Sequence, residues 1–275
     1  MTSDDAKPTG ALAPSGAGAP APSTALPDAA PGEAPGGGPE REDGAPWRNF
    51  HGRRHGKTLR KGQVEHLETT LAEVAVPNVT WADNPERKQI DPAAMFKTPP
   101  REIWLEVGFG GGEHMLGVGE ANPDVGVIGC EPFINGVAML LSHMTDRGIE
   151  NVRVHAGDAR DLMDVLPAGS MDRAFLLYPD PWPKTRHHKR RFMNPDNLDQ
   201  LATVLRPGAE LRVATDIPDY ARHSLAAAFD HPAFEWLAER PGDWNEPWEG
   251  WVRTRYEAKA LREGRTPCYL RFRRK

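Results

Sequence analysis

The chain has 275 residues, 27 of them glycine and 27 proline, and its 34 Lys and Arg against 39 Asp and Glu give a formal charge of −5. There is no apolar run of about 18 residues and no leader-like apolar stretch at the N-terminus, which argues against a membrane span and predicts a cytoplasmic protein. Cys130 and Cys268 are the only cysteines and have neither C-x-x-C nor zinc spacing, which argues against a disulfide framework or a structural metal.

Residues 1 to 45 hold 11 Ala, 8 Gly and 8 Pro and no aromatic residue, too little apolar surface to offset the entropy of ordering. This stretch is expected to be a disordered tail. Its seven acids against Lys7 and Arg41 account for the whole net charge, so the remainder is neutral overall. That remainder is nevertheless segregated in charge. Trp47 to Val64 holds Arg48, Arg53, Arg54, Lys57, Arg60 and Lys61 with no acid, Lys184 to Arg191 holds five bases, and the sequence closes on RFRRK. Basic patches of this kind are the electrostatic footprint of polyanion binding. Residues 46–100 therefore read as a basic N-terminal extension packing on or near a domain of residues 101–275.

From residue 101 short apolar runs alternate with longer amphipathic ones. Ile103 to Val107, Val125 to Glu131, Val152 to Ala156, Met171 to Tyr178 and Ala209 to Thr215 read as strands. Between them Phe133, Val137, Leu140, Leu141 and Met144 fall on one helical face, as do Leu198, Leu201, Val204 and Leu205. Such alternation predicts an α/β fold, a doubly wound and mostly parallel sheet with helices on both faces. Cys268, Leu270 and Phe272 alternate with Tyr269, Arg271 and Arg273, the period of a half-buried antiparallel strand.

Ligands of doubly wound sheets bind beyond the carboxyl ends of the strands. The first strand carries Glu106 and runs into the glycines 108 and 110–112, where absent side chains let the backbone approach a ligand. The third glycine of a dinucleotide loop would fall at position 113, where Glu113 stands and would repel a pyrophosphate. A cofactor with an amino-acid end and a sulfonium has no phosphate to repel. Glu131, 23 residues after Gly108, is placed to accept from ribose hydroxyls, and Asp158, a good N-cap in its own right, to meet an adenine edge. Two rival readings stay open at this point: a nicotinamide-dependent oxidoreductase, and a noncatalytic RNA-binding domain on the same scaffold.

The fourth strand ends in Pro-Asp-Pro-Trp-Pro, residues 179 to 183. The prolines on either side of Asp180 fix φ and preorganise its carboxylate, while Trp182 offers a flat surface to an unstacked base. Lys184, Arg186, Lys189, Arg190 and Arg191 are then expected to take phosphates flanking that base. His187 and His188 have no ligand-spaced partner and read as phosphate neighbours or surface residues.

Taken together, EVGFGGGEH, GCEPF, GDARD, YPDPWPKTRHHKRR, VATDIPDY and TRYEAKALREGR resemble the tRNA (guanine-N7-)-methyltransferases, class I enzymes using S-adenosylmethionine. The similarity runs from about Arg53 to the C-terminus, and the 45-residue tail departs from the compact members. It implies a seven-stranded Rossmann-like methyltransferase fold, tRNA as partner, no membrane, no metal, and a monomer methylating N7 of guanine 46 in the variable loop. By the resemblance Glu106, Gly108, Gly110, Glu131, Asp158 and Asp180 would bind the cofactor, Asp180 being also the catalytic residue. Lys184, Asp216, Thr254, Arg255, Tyr256 and Glu257 would hold the substrate.

Overall fold

A computed structural model describes residues 48–275; the tail expected over residues 1–45 lies outside the described residues. Seven strands form one sheet: β1 (Glu102–Val107), β2 (Val125–Cys130), β3 (Val152–His155), β4 (Met171–Leu177), β5 (Leu205–Thr215), β6 (Phe234–Trp236) and β7 (Cys268–Arg274). Their order is β3-β2-β1-β4-β5-β7-β6. The first five pair in parallel, and β7 runs antiparallel to both β5 and β6. The expected mostly parallel sheet with an antiparallel C-terminal strand is what forms. The strand order reverses between β1 and β4, which opens a cleft at their carboxyl ends.

The described helices are α1 (Lys61–Glu68), α2 (Thr70–Val74), α3 (Glu113–Ala121), α4 (Ile134–Arg147), α5 (Ala159–Met163), α6 (Pro195–Val204), α7 (Pro218–Asp230), α8 (Gly242–Asn245) and α9 (Arg255–Arg262). Two apolar layers cover the sheet. Ile103, Leu105 and Val107 pack with α5 and α6, while Trp104 faces the other way into the layer of α3 and α4. Because β1 alternates, Glu106 goes with Trp104 rather than with Val107.

Two departures from the sequence reading have physical causes. The strand β6 is three residues long, too short for its period to stand out, and pairs with β7 over Phe234 to Trp236. In β7 the alternation fails at its start, since Tyr269 is buried on the face opposite Leu270 against Trp248 and Trp251. The strand is covered on both sides there, and hydrophobic period cannot signal a polar face that does not exist.

Candidate active site

The first loop is shaped by its glycines. Gly108 and Gly110 adopt φ of +70° and +58°, a left-handed conformation that side chains disfavour. A Cβ on Gly108 would meet no atom within 4 Å, so this loop opens onto free space. One on Gly110 would come within 3.0 Å of the Tyr256 ring. Glu113, where a dinucleotide loop would have glycine, opens α3 and forms an ion pair with Arg255, clasping α9 to the loop.

An open groove of about 1710 Å³ runs from the carboxyl ends of β1 and β4 across to α6 and α7. Gly108, Gly110, Glu131, Asp158, Asp180 and Tyr256 line it, while Glu106, Lys184, Asp216, Thr254, Arg255 and Glu257 do not.

Glu131 is buried, and its carboxylate accepts from the backbone N–H of Gly110 at 2.7 Å and of Phe133 at 2.9 Å. Burial outweighs these two bonds and pushes its pKa up to about 7. Asp158 caps α5 by accepting from the Arg160 N–H at 2.9 Å. Desolvation opposes its ionisation, yet the Arg160 guanidinium holds its pKa below the usual range. Glu106 sits one layer beneath the cleft, bonded to His114 Nδ1 at 2.7 Å. The imidazole packs in turn on Phe175 and Trp251.

Asp180 is exposed on the lip of the cleft, between two non-glycine residues of positive φ, Tyr178 at +51° and Trp182 at +44°. Such conformations persist only where the surroundings over-determine them and cluster at active sites. Two histidines stand edge-on to the Trp182 indole, His187 with centroids 5.9 Å apart and His51 at 6.3 Å, and the Arg190 guanidinium lies 5.0 Å over the ring. A base stacking on Trp182 therefore takes the other face or displaces Arg190.

The basic block does not act as a single surface. Lys184, Arg186 and Lys189 are exposed, whereas Arg191 is buried and ion-paired with Asp219. The expectation that Arg191 contacts a phosphate is corrected: its guanidinium is spent inside the protein. The segment Thr254 to Glu257 divides in the same way. The Thr254 hydroxyl caps α9 by accepting from the Glu257 N–H at 3.1 Å, and the buried Glu257 carboxylate accepts from Trp251 Nε1 at 2.8 Å and from the Tyr269 hydroxyl. Only Arg255 and Tyr256 present side chains outward. Asp216 forms an ion pair with Arg265.

The wall that sequence reasoning missed is the strap Arg48 to Arg53, which lines the cleft between the starts of α5 and α4. Arg48 pairs with Asp164 and, at 3.5 Å, with Asp161, while the Asn49 carbonyl accepts from Arg160 at 3.2 Å. Further along, the Arg54 carbonyl accepts from Ile134 N–H at 2.9 Å, which seats the strap on the start of α4. The run of positive charge announced this segment but not the two carboxylates that would fasten it.

Among the described residues, no group of three or more His, Cys, Asp and Glu could hold a metal, and no helix is long and apolar enough to cross a membrane. Cys130 lines the cleft, but burial pushes its thiol well above the usual range, so it stays protonated.

A family model described as "Putative methyltransferase" matches residues 100–270. The tRNA (guanine-N(7)-)-methyltransferase of Ruegeria sp. strain TM1040 is 58% identical over 248 residues, covering 90% of this chain and 96% of that one. The protein of the same description from Ruegeria pomeroyi is 59% identical over 83% of this chain and 95% of its own length. Its counterpart in Paracoccus denitrificans is 56% identical over 86% and 99%.

Proposed function

The chain belongs to the tRNA (guanine-N(7)-)-methyltransferase family, and from that premise we propose that it methylates N7 of guanine 46 in the variable loop of tRNA, acting as a cytoplasmic monomer. The observation that carries the assignment of roles is the convergence of Gly108, Glu131, Asp158 and Asp180 on one cleft beside Trp182.

The residues fit S-adenosylmethionine. The open space over Gly108 admits close backbone approach, the recessed Glu131 carboxylate suits ribose hydroxyls, Asp158 suits an adenine edge, and nothing in the loop requires a phosphate. When bound, this cofactor supplies a methyl group on a positively charged sulfur. Glu106 lies behind the cleft lining, its carboxylate bonded to the buried His114.

Guanine N7 carries an in-plane lone pair and no hydrogen, so it needs no general base. It does gain positive charge as the new bond forms. Asp180, exposed at the cleft and held between two prolines, supplies a preorganised negative charge where that cation develops. The protonated Cys130 has no part as a nucleophile, which agrees with attack by the base itself. Lys184, Arg186, Lys189 and Arg190 take the flanking phosphates, and Arg255 and Tyr256 meet the tRNA from the glycine-loop side. Thr254 and Glu257 hold that segment in place, and Asp216, ion-paired with Arg265, ties the chain just after β5 to the stretch before β7.

The test is methyl transfer to a tRNA carrying 7-deazaguanosine at position 46, which keeps shape and loses only the nucleophilic nitrogen. We expect transfer to guanosine-46 tRNA and none to the deaza form. Methylation of the deaza nucleotide would exclude N7 as the acceptor.

A further inference from the structure

We propose that Arg191 is a positioning residue for methyl transfer: a buried strut that fixes the Pro181 carbonyl and thereby the directions in which Asp180 and Trp182 leave their loop. The proposal rests on the reading of Asp180 as the charge at the reaction centre.

Arg191 closes a run of bases that looks like a uniform phosphate-binding surface, yet only 1% of its side chain is exposed. Its Nε donates to the Pro181 carbonyl at 2.9 Å, and Nη2 donates to Asp219 in the first turn of α7. The guanidinium lies 5.5 Å over the Tyr220 ring, and the Arg191 carbonyl accepts from Asn194 Nδ2 at 2.8 Å. One planar fork thus ties the loop after β4 to the start of the helix after β5.

A charge so buried is costly unless it is fully paired. This one is paired by a carboxylate and a carbonyl that belong to different elements, which only a rigid, divergent set of donors can reach together. The carbonyl it holds lies between Asp180 and Trp182 in sequence, and the chain there passes through positive φ at both Tyr178 and Trp182. Those conformations need an external tether, and the Arg191 Nε–H supplies one. An ammonium cannot reproduce the fork. Arg191→Lys keeps the charge and should lose the geometry.

The prediction separates this role from phosphate binding. In the full chain, Arg191→Lys should lower kcat at least about tenfold, since small misplacements at a reacting centre cost up to about a hundredfold. Its KM for tRNA, tRNA affinity without cofactor, and slope of log affinity against log salt should stay within about twofold of the parent. Arg191→Gln should also leave that slope unchanged, whereas Lys189→Ala, an exposed base, should flatten it by about one unit or less. Asp219→Asn keeps an amide oxygen as acceptor but strips the buried guanidinium of its counter-charge, and should lower the melting temperature by several degrees and, in protein still folded at the assay temperature, kcat severalfold. Should Arg191→Lys melt below the assay temperature, Asp219→Asn decides alone.

Folded Arg191→Lys and Asp219→Asn proteins with parental kcat would overturn the strut, as would an Arg191→Gln protein with a flattened salt slope. A parent that transfers no methyl group to tRNA would bring down the reading of the site itself. Normal transfer by parent and variants alike would remove only the strut.

Discussion

Asp180 and Glu131 are both acids at strand ends, but the structure gives them different physics. Asp180 is exposed on a stiff loop and contributes little to packing, so Asp180→Ala should fold normally. Loss of a preorganised charge at a reaction centre costs about 3 kcal/mol or more, so methyl transfer should fall on the order of a hundredfold, as single-turnover rates would show. Glu131 is buried, with a pKa raised to about 7 from an ordinary 4.5. Ribose hydroxyls donating to it favour the ionised form, so binding releases a proton and cofactor affinity should rise as pH rises through 7, levelling off above. Below 7 the loss approaches about tenfold per pH unit. In the free protein the sign is opposite: the folded state holds the extra proton between pH 4.5 and 7, so stability attributable to Glu131 falls across that window. Calorimetric titration with S-adenosylhomocysteine at pH 6, 7 and 8 checks the first effect, and Glu131→Gln should abolish the pH dependence. These acids were readable in the sequence because strand ends and glycines locate them. The inward turn of Arg191 was not, since a basic side chain reads the same whether phosphate or Asp219 neutralises it.

At the scale of elements, the loop after β4 with its 3-10 turn (Thr185–Arg190) and the start of α9 are candidate tRNA contacts of different construction. Lys184→Ala and Arg190→Ala should each weaken tRNA binding and flatten its salt dependence by about one unit of slope or less, with S-adenosylhomocysteine affinity unchanged. Glu257→Ala should do something else. It leaves the Trp251 indole N–H and the Tyr269 hydroxyl without their buried acceptor, a loss of about 1–3 kcal/mol for each group stranded. The melting temperature should drop by several degrees, while the salt slope stays put. The spacing Thr254-x-x-Glu257 is that of a capping box, a signal present in the sequence and overshadowed by the family resemblance. The parallel strands and α4 and α6 were legible because their apolar period is strong. The short β6 has no period to read, and the strap's place over the cleft depends on Asp161 and Asp164, more than a hundred residues away in the chain.

For the whole molecule, composition predicts that residues 1–45 add nothing to the core, since they contain no aromatic residue and are dominated by Ala, Gly and Pro. A protein starting at residue 46 should melt within about a degree of the full chain and turn over at the same rate. A loss of several degrees would mean that the segment docks.

The position of β7 has a consequence for synthesis. Residues 268–274 do not add to an edge; they slide between β5 and β6, two strands made earlier. Until they leave the ribosomal tunnel, the nascent chain keeps a bare seam beside β5, with Leu211 and Val213 lacking the Leu270 and Phe272 that cover them in the finished sheet. An open apolar strand edge of this kind invites pairing with another chain. Chains arrested before Cys268 should therefore be protease-sensitive along β5 and retained by holding chaperones. Chains carrying an appended C-terminal arrest segment long enough for β7 to clear the tunnel should resist cleavage and be released.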